Sequence, residues 1–443
     1  KKAASKMRFL SLLVEISQLR RDFAHQDIGA LRMVEYTLIY GASPFSALSF
    51  SLYGLCLVRR GLFAEANHFG FLAETMSVLT NKNDCLAVGY HHWAIQYWRK
   101  PTRSSLPALS RVSKSAINCN DMEHVSLFVG AYFSNLLVSG APMHFGDAMF
   151  QSFQTHRAAF GARDSWLATL PFQTILKLRG KYDGQIDLSG LSGVANDSNA
   201  QTRGLQYALF FRMVAAVFFQ DCSNALKLKE KVFLRPLGIL LPYQAFIEGL
   251  ISTYHIRVTA SNKEKISYQR KVSKIIDVLR SWGKKGLREV AHMTNILNTE
   301  LHVAIKKDLT PEKMSQLYDM ALSAASRQGF FHHQALASER AGLHFLSLDE
   351  PSFAQKYLSQ AFELYQGWGA HGKVEDLKNN YAEYIVAPPG MDQRSSPPQR
   401  APGMGFPRGA PVRGRGRFPG RRPGGRRAPG QRGRISPRGG RGR

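Results

Sequence analysis

The segment closest to a chemical motif is Gly367-Trp368-Gly369-Ala370-His371-Gly372-Lys373-Val374, which has the Gly, four residues, Gly-Lys order of a phosphate-binding loop. Such a loop needs backbone N–H groups and a lysine around the phosphates, and a Ser or Thr hydroxyl on Mg²⁺. Here Val374 stands where the hydroxyl belongs and no apolar strand precedes the glycines, so a turn between two helices is expected. The histidines include two adjacent pairs, His91-His92 and His332-His333. Neighbours on an α-helix point about 100° apart, so neither pair is expected to grip one metal without other ligands, and packing is the expected role. Trp93 and Trp98 beside the first pair read as core. There is no His-Glu-x-x-His, and Gly190-Leu191-Ser192-Gly193 lacks the last glycine of a serine-hydrolase elbow. Asp183 and Asp187 lie in a polar stretch and read as solvated turn residues. These motifs point to no catalytic residue, no cofactor and no metal, so the chain is expected not to be an enzyme.

The second chemical signal is cationic. Residues 391–443 hold 15 Arg, no Lys and one Asp, leaving 44 basic and 31 acidic residues in the rest of the chain. Arg-Gly steps begin at Arg408, Arg413, Arg415, Arg432, Arg438 and Arg441, with Arg417 and Phe418 between them. Glycine keeps such a segment flexible, arginine pairs with phosphate and stacks on bases, and too few apolar groups are present to offset the entropy of ordering. A disordered Arg/Gly/Pro-rich tail over 387–443 is expected, similar to the RGG segments of RNA-associated proteins. Neutralising about five phosphates would give a log-log salt slope of roughly −3.5 on single strands.

Up to about residue 386 apolar residues recur at three-four spacing between short Gly, Pro, Asn or Asp breaks, so the body is expected to be all-α. Ser43-Pro44 and Thr310-Pro311 read as helix starts; Gly61, the run 81–84, Pro101, 140–142 and Gly329 read as breaks. Residues 181–203 read as the longest loop, dividing an N-terminal half (1–180) from a C-terminal half (204–386). Gly54, Ala66 and Ala73 are spaced twelve and seven apart, and Gly342, Ala354 and Ala361 repeat that spacing. Small residues at those offsets let two antiparallel helices approach closely, which is the tetratricopeptide pattern and predicts a helix-hairpin solenoid. A narrow stripe of Val374, Leu377, Tyr381 and Ile385, with Lys373 and its polar neighbours facing elsewhere, predicts a helix capping that solenoid.

Gly329-Phe330, His333 to Ala337, Glu339, Ala354, Tyr357, Leu358, Ala361, Tyr365, Trp368 to Ala370, Lys373, Val374, Leu377 and Tyr381 follow one linear pattern. It resembles the end of the long helical region that follows the ATPase module in multidomain predicted-ATPase signalling proteins, where a serine/threonine kinase often precedes and GAF or histidine kinase domains often follow. Residues 40–44 and 173–180 look like the same region. The resemblance implies a helical-repeat sensor or scaffold arm that binds protein partners, in a fragment or relative of such a protein whose catalytic modules lie elsewhere. An RNA-associated protein using the Arg-Gly tail is the alternative.

With 443 residues and 44% apolar content the chain has ample core, and its composition excludes collagen and disulfide scaffolds. Cys56, Cys85, Cys119 and Cys222 form no C-x-x-C pair and sit in apolar, helix-like surroundings, which predicts buried thiols in a reducing, cytoplasmic setting. The uncharged run 37–58 is broken by Gly41, Ser43 and Pro44, leaving a helix of about 15 residues, too short to span a bilayer.

Overall fold

The computed structural model describes residues 2–386 apart from 21, 80–84, 121–123, 162–164, 183–197, 234–237 and 307. Among the described residues there are eighteen α-helices and no strand. In chain order they are α1 (Lys2–Arg20), α2 (Phe23–Tyr40), α3 (Ser46–Arg59), α4 (Phe63–Leu79), α5 (Cys85–Tyr90), α6 (Leu106–Asn118), α7 (Val125–Ser139), α8 (Asp147–Phe160) and α9 (Trp166–Leu178). The second series is α10 (Ser198–Phe218), α11 (Cys222–Lys231), α12 (Leu240–Val258), α13 (Asn262–Lys284), α14 (Val290–Ile305), α15 (Pro311–Arg327), α16 (Phe331–Leu346), α17 (Pro351–Trp368) and α18 (His371–Tyr381). None of them is long and apolar enough to cross a membrane.

Local chemistry sets the helix ends. At α15 the Lys313 N–H donates to Thr310 Oγ1, and Pro311 occupies the first turn, where its missing N–H costs nothing. Before α3 the Ser43 N–H donates to Ser46 Oγ at 2.8 Å, and the Ser46 N–H donates to the Ser43 carbonyl at 3.1 Å. Pro44 and Phe45 form a turn first, so α3 begins at Ser46 rather than directly after Ser43. Gly369 ends α17 at φ +86° and Gly140 ends α7 at φ +63°, in the left-handed region that glycine enters without a Cβ clash. The break expected at 81–84 lies outside the described residues, and so does most of the loop expected at 181–203; α10 begins inside that loop, at Ser198.

Adjacent helices pair. Gly342 meets Leu358, Ser338 bonds to Gln360 and Glu339 meets Tyr365, so α17 runs antiparallel to α16. The hairpin α14–α15 lies beside α16–α17 with a nearly constant offset: His292 to His333, Glu300 to Arg340 and Ser315 to Tyr357 are 41, 40 and 42 residues apart.

The described residues form one compact unit, and residues 387–443 lie outside them. Described residues on the two sides of 181–203 meet directly. Glu289 accepts from the Thr102 N–H at 2.8 Å, the Trp368 Nε1–H donates to the Ala141 carbonyl at 3.1 Å, and Trp98 meets Trp282 edge-on. In an open solenoid each repeat touches only its neighbours. Here α18, the expected end cap, packs against α9, and one continuous buried cluster runs from Met7 to Leu377.

Candidate functional site

Gly54 on α3 faces α4 so closely that a Cβ there would lie 3.2 Å from the Ala66 carbonyl oxygen and 2.8 Å from Ile95 Cδ1. Ala66 and Ala73 are fully buried. In the C-terminal hairpin a Cβ on Gly342 would lie 2.7 Å from Leu358 Cγ, and Ala354 and Ala361 are fully buried. The tail residues Arg408, Arg413, Arg415, Arg417, Phe418, Arg432, Arg438 and Arg441 lie outside the described residues.

Lys373, which the apolar stripe of its helix places among outward-facing polar residues, is instead fully buried, with Nζ 2.6 Å from Glu339 Oε1 and 2.5 Å from Asp376 Oδ2. Burial works against its charge, but the two carboxylates outweigh that and hold its pKa above the ordinary lysine value. Gly372 lies against the backbone of Gly180. The lysine and a glycine of the loop-like motif are therefore committed to packing. A second buried charge group joins Glu300 to Arg340 at 2.7 Å and to Arg257 at 3.0 Å. Burial opposes ionisation of Glu300, but the two guanidinium groups hold its pKa at about 2.

His332 and His333 are fully buried, and His333 Nδ1 lies 2.7 Å from His292 Nε2. Burial lowers all three pKa values, to about 4 for His292, so these imidazoles are neutral packing groups. Trp93 and Trp98 are core, as expected, and Trp98 stacks on Phe63 at 3.7 Å. Among the thiols Cys56 and Cys222 are buried, whereas Cys119 ends α6 and is exposed, contrary to expectation.

The other histidine pair meets a ligand that sequence spacing alone did not bring to it. Glu74 on α4 places Oε1 2.6 Å from His91 Nδ1 and 2.7 Å from His92 Nε2. The backbone after α5 widens into a π-helical turn over His91–Ile95, closed by the Gln96 N–H donating to the His91 carbonyl. One ring uses its near nitrogen and the other its far nitrogen, so adjacent side chains converge on one oxygen. Burial disfavours the Glu74 charge, but the hydrogen bonds from His91 and His92 outweigh it and hold the carboxyl below its usual pKa. Burial in turn lowers the pKa of His91.

Helices α1 and α2 form an open cleft of about 610 Å³ whose lining includes Phe9, Leu10, Tyr36, Ile39 and Tyr40 together with Lys6, Arg32 and Glu35. Phe9, Ile39 and Tyr40 are each more than 60% exposed, as is the neighbouring Leu38. Helix α13 carries seven basic residues against two acidic ones, and Lys263, Arg270, Lys271 and Lys274 are exposed along it. Neither a comparison with protein-family models nor one with curated proteins finds a match for the chain.

Proposed function

We propose that this chain is a non-catalytic helical-repeat interaction scaffold or sensor arm, of the tetratricopeptide-like kind found in ATPase-linked signal-transduction proteins. The α1–α2 cleft carries this reading: large apolar side chains stand exposed around a cavity that charged side chains also line, the composition of a protein-binding site. The burial of Lys373 between two carboxylates supports a packing role for the one phosphate-loop-like segment. Affinity capture with the chain and with a Phe9→Asp/Ile39→Asp variant tests it, given equal melting temperatures. Partners lost on the variant support the scaffold, and an identical partner set on both overturns it.

The basic row on α13 favours a second reading, in which the protein associates with RNA through its Arg-Gly tail and this helix. Removing 391–443 is expected to abolish most binding to a fluorescent single-stranded RNA. Binding that survives the truncation and falls with Arg270→Glu/Lys274→Glu would place the contact on α13.

A further inference from the structure

We propose that Glu74, His91 and His92 form a binding site for one divalent transition-metal ion of the Zn²⁺ class. Two imidazole nitrogens and a carboxylate oxygen from three residues lie within 4.8 Å of one another, and this donor set suits borderline ions. His91 Nδ1 and His92 Nε2 both lie against a single carboxylate oxygen of Glu74, so one dication can bridge the three donors where they converge.

The surroundings are built to hold the rings. The His91 ring is fully buried in a notch left by Gly70, where a Cβ would lie 2.2 Å from its Cδ2. Phe71 meets the same ring edge-on at 5.1 Å. Packing thereby fixes the ring orientation that a second hydrogen bond fixes in many metal sites. The π-helical turn brings consecutive histidines onto one target, and such turns recur at functional sites.

Admitting an ion requires the carboxylate to draw back from the two rings. Around a tetrahedral ion with bonds of about 2.0–2.1 Å, donors sit about 3.3 Å apart, so the present 2.6 and 2.7 Å separations must open by about 0.6 Å. Glu74 is 31% exposed and His92 12%, so the carboxylate has room to withdraw and water can reach a fourth position. The ion would tie α4 to the turn that follows α5.

The test uses the full chain, stripped with a chelator and titrated with Zn²⁺ against a chromophoric chelator. The expected result is one equivalent bound and a higher melting temperature with Zn²⁺. Both effects should weaken by at least about tenfold in affinity in His92→Ala and Glu74→Gln, and persist in a control, His25→Ala. Glu74→Gln keeps the side-chain shape and a hydrogen-bond acceptor while removing the anionic ligand, so it carries the test if His92→Ala loses its fold. Absence of stoichiometric Zn²⁺ binding by the parent chain, or undiminished binding by Glu74→Gln, overturns the site.

Discussion

At the residue scale, the buried ionisable groups join elements far apart in sequence, and Glu289 shows how their titration enters stability. Its carboxylate accepts from the Thr102 N–H and hydroxyl, 187 residues away, and burial pushes its pKa up to about 7. The ordinary value is 4.5, so the folded chain keeps this proton over a range in which the unfolded chain has released it. The group's contribution is complete below about pH 4.5 and is lost as pH rises through 7. Buried His292, His332 and His333 act in the opposite sense, being held neutral while the unfolded histidines gain protons below about pH 6.5. A difference measurement separates the two. Relative to the parent, Glu289→Gln should gain stability between pH 5 and pH 8, by up to roughly 3 kcal/mol. Urea midpoints at the two pH values check this, and parallel profiles would remove Glu289 from the account.

At the element scale, the glycines on the first helix of each hairpin set how closely the second can lie. A Cβ on Gly342 would lie within 3.2 Å of Leu358 backbone nitrogen as well as 2.7 Å from its Cγ, so a side chain cannot be accommodated by one rotamer change alone. Gly342→Leu should cost about 1–3 kcal/mol through overpacking, read as an earlier denaturation midpoint. A substitution that keeps bulk out of the hairpin, such as Leu343→Met on the partly buried side, should stay near the parent. Equal midpoints for Gly342→Leu and the parent would mean that the hairpin tolerates a wider spacing than the contact implies. The same logic explains the His91 notch, where Gly70 on α4 admits an imidazole in place of a side chain of its own.

At the scale of the whole molecule, the body closes on itself where an open array of repeats would leave its halves independent. Trp368 bonds to the Ala141 carbonyl, Gly372 lies on Gly180, and Glu289 holds Thr102, so the C-terminal hairpins bury their faces on the N-terminal helices. Residues 204–386 expressed alone should therefore show no cooperative thermal transition, and co-expression with 1–203 should restore one. A sharp transition in the isolated C-terminal fragment would show that its stack is stable without those contacts.

The helical class of the body, the Thr310-Pro311 start, the glycine-marked ends and the close approaches at Gly54 and Gly342 are legible in the residues alone. Each is a local property, set by three-four periodicity, by capping chemistry or by the absence of a Cβ within one hairpin. Only the tertiary structure decided the fate of Lys373, whose partners Glu339 and Asp376 are unremarkable polar residues in sequence. It alone brought Glu74 to His91 and His92. The separation of 17 residues is set by the packing of α4 on the widened turn, which no local periodicity encodes. The joining of the two halves is likewise the sum of contacts between residues some 190 to 230 positions apart, where burial of complementary faces outweighs any boundary that composition suggests.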